Sequence, residues 1–138
     1  MTAIPKAPSP VTFVGAGPGS ATHLTLGAYH ALQVAEVVIH DRLVGAEILA
    51  LIPATTQRID MGKEGFGPSQ PQSRINAVLV AQALTGAKVV RLKGGDCGIF
   101  GRLDEEIEAL EAAGLTFTIL PGLTAATVAA ATIGQSLT

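Results

Sequence analysis

Five short runs rich in valine and isoleucine, each handing over to a loop that carries glycine or aspartate, constrain this chain more than any other feature. They fall at residues 11–14, 36–40, 56–61, 87–92 and 116–120, and the third is the weakest. Such short, continuously apolar runs suit strands buried on both faces of a parallel sheet. Segments of helix formers separate them. One runs over 21–35, with Leu24, Leu26, Ala31, Leu32 and Val34 on its buried side, and another over 46–51, stopping at Pro53. A third opens at Pro71 and ends at Gly86, and a fourth covers 104–113 with an acidic first turn and Gly114 behind it. The last, 123–133, is alanine-rich and expected to pack closely. This alternation predicts an α/β fold: an open, mostly parallel five-stranded sheet with helices on both faces. Residues 1–10, with three prolines, read as a flexible tail, and 11–138 as one domain.

Composition narrows the function classes. A hydrophobic content of 48% excludes a disordered chain, and a net charge of -2 gives no electrostatic reason to expect nucleic acid. No apolar run is long enough to span a bilayer, and the first ten residues do not form a signal peptide, so no membrane partner and a cytoplasmic location are expected. The single cysteine, Cys97, cannot close an internal disulfide and suits a reducing compartment. It has no histidine nearby in sequence to activate it, which reads as a passive thiol. His23, His30 and His40 have no metal-ligand spacing with Cys97, and no metal is expected.

Chemistry concentrates in the loops behind the strands. Between Arg91 and Arg102 sit Gly94, Gly95, Gly98, Gly101 and Asp96. A glycine-rich loop at the carboxyl end of a strand is where open α/β sheets bind ligands, and Asp96 can accept from hydroxyls or pair with an ammonium. The same glycines also fit a tight strand-to-helix turn that serves only geometry. Gly15-Ala-Gly-Pro-Gly19 invites a dinucleotide reading with Asp41 as the ribose acid. Ser20 at the third fingerprint position and the missing N–H of Pro18 count against it. Asp41 itself fits either a general base at the strand end or a cap for the next helix. Out of nine basic residues, Arg42, Lys63, Lys93 and Arg102 fall at or just beyond strand carboxyl ends, which favours an anionic ligand on that rim.

Taken together, these segments resemble the tetrapyrrole methylases. The matching stretches are Val14-Gly-Ala-Gly-Pro-Gly19, Asp41-Arg-Leu-Val44, Gly62-Lys63, Pro71-Gln72 with Ile75-Asn-Ala77, Val89-Val-Arg-Leu-Lys-Gly-Gly-Asp96, Phe100-Gly-Arg102, Glu105-Glu106, Pro121-Gly122 with Thr124-Ala125, and Leu137-Thr138. The resemblance covers the family's first domain; the second, which closes over the cofactor, is absent from this chain. It implies transfer of methyl groups from S-adenosyl-L-methionine to two pyrrole carbons of uroporphyrinogen III. The products are precorrin-2, on the way to sirohaem and cobalamin, and S-adenosyl-L-homocysteine. Position by position, it carries the cofactor contacts onto Pro18, Gly94, Gly95, Asp96, Ile99, Thr124 and Ala125. The proton acceptor falls on Asp41, the proton donor on Lys63, and residues facing the tetrapyrrole on Arg102 and Glu105. Apart from the resemblance, the apolar composition favours self-association, and a homodimer is expected.

Three departures stand out: Ser20 for an aspartate, Cys97-Gly98 for a Pro-Phe pair, and Leu103-Asp104 for Gly-Gly. With half of the enclosing cleft outside it, the isolated 138-residue chain is expected to be inactive. The alternative is a truncated or diverged domain that binds ligand weakly or only mediates subunit contact.

Overall fold

A computed structural model describes residues 7–42, 44–62 and 71–138. Most of the tail expected over residues 1–10 therefore lies outside the described residues, as does Lys63. Strands β1 (Val11–Gly15), β2 (Val37–His40), β3 (Gln57–Asp60), β4 (Val89–Lys93) and β5 (Phe117–Leu120) form one sheet in the order β3-β2-β4-β1-β5. Every neighbouring pair is parallel, as the apolar runs predicted.

Strand alternation divides the core in two. Val11, Phe13, Val37, Ile39 and Val89 pack against α3 (Gln72–Leu84) and α4 (Leu103–Ala112) through Ile75, Leu79, Ala83 and Leu110. Val14, Val38, Val90 and Leu92 pack on the opposite face against α1 (Leu26–Val34) and α2 (Ala46–Leu49) through Ala28, Leu32 and Ile48. Each large side chain fully removed from water contributes about 1.5–3 kcal/mol. Phe13 adds an edge-to-face contact with Phe117, ring centroids 6.0 Å apart.

Two expected helices differ in detail. The segment 21–35 breaks into a 3₁₀ turn, Ala21–His23, and α1, because Thr25 stays extended and accepts the Ala28 N–H on its hydroxyl. The later start rotates the buried stripe, so Ala28 and Leu32 face the sheet while Leu26 and Val34 are exposed. The alanine-rich helix α5 (Ala125–Thr132) is not closely packed: only Ala130 is buried. It follows an edge strand, whose flank offers packing surface on one side only.

The strand order positions the site. From β1 the chain crosses towards β2 and β3, whereas from β4 it crosses towards β5. The two connections leave adjacent carboxyl ends in opposite directions and on opposite faces of the sheet, the switch point at which doubly wound sheets take ligands. The backbones there nearly touch. A Cβ on Gly15 would lie 2.6 Å from Gly122 N and 2.7 Å from Gly95 O, and one on Gly122 would overlap Gly95 O. We expect Gly122→Ala to cost about 1–3 kcal/mol, the range for overpacking. Gly27→Ala in α1, whose nearest neighbour would be Leu120 Cδ1 at 4.0 Å, should instead add about 0.5–1 kcal/mol. Urea midpoints compare the two, and equal shifts would contradict the backbone contact.

Candidate active site

The loops behind β1, β2, β4 and β5 enclose an open cleft of about 350 Å³. Its lining brings together Pro18, Asp41, Gly94, Gly95, Asp96, Ile99, Thr124 and Ala125, all singled out from the sequence, and adds Gly17, Lys93, Phe100 and Gly101. Arg102 and Glu105 lie outside it, in an adjoining depression that shares Phe100 and Gly101 with the cleft. They pair with each other across one helical turn, Arg102 Nη2 to Glu105 Oε2 at 2.9 Å, and both are well exposed.

Loop geometry explains why glycine stands at these positions. Gly17 and Gly95 have φ of 72° and 65°, and they exchange two hydrogen bonds: Gly17 N–H donates to Gly95 O at 3.1 Å, and Gly95 N–H to Gly17 O at 2.8 Å. Ala16 N–H donates to Lys93 O. The Ala16 and Gly17 amides of the first glycine loop are thus spent on the second loop and Pro18 has none to offer, which weakens the phosphate cradle a dinucleotide would need. Asp96 works partly as a staple. One carboxylate oxygen accepts from Gly122 N–H at 2.9 Å and the other from Gly98 N–H at 3.0 Å. Each oxygen retains acceptor capacity for a ligand hydroxyl or ammonium. Ser20 caps the 3₁₀ turn by accepting from Thr22 N–H, and Glu47 reaches over from α2 to accept from Ala21 N–H at 2.8 Å.

Beneath the cleft runs a chain of charges that the sequence reading did not assemble. Arg91 and Lys93 alternate with apolar residues on β4, so both point to the α3–α4 face at its carboxyl end. Glu106, in the first turn of α4 and fully buried, receives Arg91 Nε at 2.5 Å and pairs with Lys93 Nζ through its other oxygen. Arg91 Nη2 continues to Asp41 Oδ1 at 2.9 Å, while Lys93 Nζ also donates to Gly101 O. Asp41 is therefore held by Arg91 and does not cap α2, whose cap position is Gly45 without a side-chain bond. It keeps a third of its side chain open, whereas the other three are nearly sealed from water. Burial opposes the charge on Arg91, but Asp41 and Glu106 outweigh it and hold the guanidinium above its usual pKa. Lys93, counted from the sequence as a rim cation, is neutralised inside the protein. The signal was present: two cations two residues apart, on the same face of an otherwise apolar strand, require buried anions.

The fold and cleft define a doubly wound α/β protein whose candidate ligand site is built from glycine loops at a strand switch point. A family model described as Tetrapyrrole (Corrin/Porphyrin) Methylases matches residues 10–138, and the chain belongs to that family. It is 52% identical over 129 residues to a uroporphyrinogen-III C-methyltransferase of Paracoccus denitrificans, covering 93% of this chain and 45% of the relative. It is also 52% identical over 128 residues to siroheme synthase 1 of Aeromonas hydrophila, covering 93% of this chain and 28% of that protein. A crystal structure of uroporphyrin-III C-methyltransferase from Thermus thermophilus superposes with a TM-score of 0.83 at 44% identity, over 96% of this chain and 55% of the other. A second structure, of uroporphyrin-III C-methyl transferase from the same organism complexed with S-adenyl homocysteine, gives 0.77 at 40%, over 88% and 51%. The chain thus spans about half the length of the uroporphyrinogen-III C-methyltransferases it matches and less of the siroheme synthases.

Cys97 lies beside this network, wholly buried, and burial pushes its thiol up to about 11 from 9.0 despite the opposing pull of Lys93. The folded state therefore favours the neutral thiol. Its contribution is fully present below pH 9 and is lost as pH rises towards 11. In native buffer at neutral pH we expect a thiol-specific disulfide reagent to react with Cys97 only on unfolding, by at least about tenfold more slowly than in denaturant. Equal rates would place the thiol at the surface.

Proposed function

We propose that this chain is the cofactor-binding half of an S-adenosyl-L-methionine-dependent methyltransferase that C-methylates uroporphyrinogen III to precorrin-2. One observation carries the reading: Pro18, Asp41, Gly94, Gly95, Asp96, Ile99, Thr124 and Ala125, scattered over the sequence, line a single cleft. Membership of the methylase family and the relatives named as uroporphyrinogen-III C-methyltransferases support the same substrate.

The residues fit the group. Gly94 and Gly95 leave bare backbone against the cleft, Asp96 presents a carboxylate suited to a ribose or ammonium, and the volume lies within the usual small-molecule range of about 300–1,000 Å³. When bound there, S-adenosyl-L-methionine supplies an electrophilic methyl group on a sulfonium. The acceptor is an electron-rich pyrrole carbon, so no strong protein nucleophile is required, in keeping with the inert Cys97. What the chain must provide is orientation and a place for the proton lost from the methylated ring. Asp41, partly open and anchored by Arg91, takes that role, and Lys63 returns a proton where one is needed. Arg102 and Glu105, on the adjoining depression, face the carboxylate-rich periphery of the macrocycle. A homodimer agrees with the apolar side chains exposed on β5 and in the segments before and after α5, among them Ile119, Leu123, Ile133 and Leu137.

Two substitutions separate the roles when assayed in the full reading frame that encodes this chain. Asp41→Asn is expected to lower kcat for methylation of uroporphyrinogen III by roughly 10²–10⁴-fold while leaving the cofactor dissociation constant nearly unchanged. Equal losses in both would make Asp41 structural.

Asp96→Ala should weaken S-adenosyl-L-homocysteine binding by about 1.5–3 kcal/mol in calorimetry. An unchanged constant would remove the Gly94 loop from the cofactor site. On the 138-residue chain itself, titration with S-adenosyl-L-homocysteine should shift the amide resonances of Gly95 and Thr124, and their indifference at saturating ligand would count against the reading.

A further inference from the structure

The cleft has two walls: the end of β2, which carries Asp41, and the lip after β4, which carries Ile99, Phe100 and Gly101. The lip is an improbable conformation. Phe100 and Arg102 both hold left-handed φ, 56° and 53°, on either side of Gly101, and Phe100 is fully exposed. Something must hold it. Lys93 Nζ bonds the Gly101 carbonyl, and a Cβ on Gly101 would lie 2.8 Å from both Lys93 Cε and the Cys97 carbonyl oxygen, so the tip of the lip is seated on this side chain and on its own backbone. On the other wall, Arg91 holds Asp41. The two cations meet on one group: Glu106 bonds Arg91 with one oxygen and Lys93 with the other, and none of its side chain reaches water.

We propose that Glu106 is a positioning residue that sets the two walls of the cleft against each other, through Arg91 to the base at Asp41 and through Lys93 to the lip at Gly101. The inference rests on the methyltransferase reading for its consequence, but the coupling itself is a property of the chain. A carboxylate that must serve both cations fixes their separation. Freed from Glu106, Arg91 is left with Asp41 as its anionic partner and Lys93 with a neutral carbonyl, so each wall relaxes on its own.

Amide hydrogen exchange on the 138-residue chain tests the coupling without substrate. Val44 N–H donates to Asp41 O and reports the β2 wall, while Ile99 N–H donates to Asp96 O and Gly98 N–H to the Asp96 carboxylate, reporting the lip. Glu106→Gln should speed exchange by about tenfold or more at all three, with Leu32 and Leu79 in the two cores unchanged. Lys93→Met should speed Gly98 and Ile99 and spare Val44. If Glu106→Gln does not fold, Glu106→Asp replaces it: one methylene shorter, it reaches one cation and not both, and should loosen one wall alone. No change with Glu106→Gln, equal acceleration at Leu32 and Leu79, or equal loss at both walls with Lys93→Met would overturn the proposal. In the full reading frame, Glu106→Asp should lower kcat by roughly tenfold or more with KM for S-adenosyl-L-methionine within about twofold. Unchanged kcat would likewise overturn it. A wild-type protein that forms no precorrin-2 would sink the methyltransferase reading instead, and the exchange data would still decide the coupling.

Discussion

Two cations buried on the central strand, Arg91 and Lys93, set the terms for the carboxyl end of this fold. Removing each from water costs several kcal/mol even after relaxation, so the strand cannot be placed there unless anions arrive with it. Glu106 arrives from α4 and Asp41 from β2, and the four charges sum to zero. At a separation near 3 Å and an effective dielectric of about 20, each contact returns roughly 5 kcal/mol of attraction before desolvation is subtracted. Apolar replacements of similar volume are often as stable or more so. The network is therefore poorly explained as a source of stability and better explained as a means of holding groups at the cleft floor in one arrangement.

Around that floor the backbone does the work that side chains do elsewhere. Gly15, Gly95 and Gly122 come from three different strand ends and meet within van der Waals contact, and Asp96 stitches the second loop to the third. The cleft is thus shaped by main chain on one side and by charged side chains below. This division suits a ligand with a flat face and a few hydroxyl or cationic groups, because bare backbone permits close approach while carboxylates choose orientation.

Much of this was legible in the sequence, and the reasons for the remainder are physical. Buried parallel strands declare themselves because both faces must be apolar, and Gly94-Gly-Asp96 marks a strand end because only a backbone in special conformations needs such residues. The partnership of Arg91 with Asp41 and Glu106 was not legible, since it joins positions far apart in the chain that topology alone brings together. Lys93 was misplaced on the rim because a lysine after a strand is ordinarily solvated. The phase of α1 depended on which residue caps it, and Thr25, inside the segment expected to be helical, took that place. The exposure of α5 could not be inferred from its alanines, which are equally at home in a tight interface and on a surface.

The position of β1 carries a consequence for how the chain is made. Of the five strands of this sheet it is the first to be synthesised, yet both its neighbours, β4 and β5, are the last two of the five. At roughly 5–20 residues per second, Val11–Gly15 waits several seconds with its hydrogen-bonding edges unpaired. During that interval β2, β3, α2 and α3 can associate without it, and the sheet can close only when β4 threads between two elements already present. Nascent chains stalled before Val89 should therefore expose an adhesive apolar segment that the finished fold conceals, making elongation rate itself a determinant of yield.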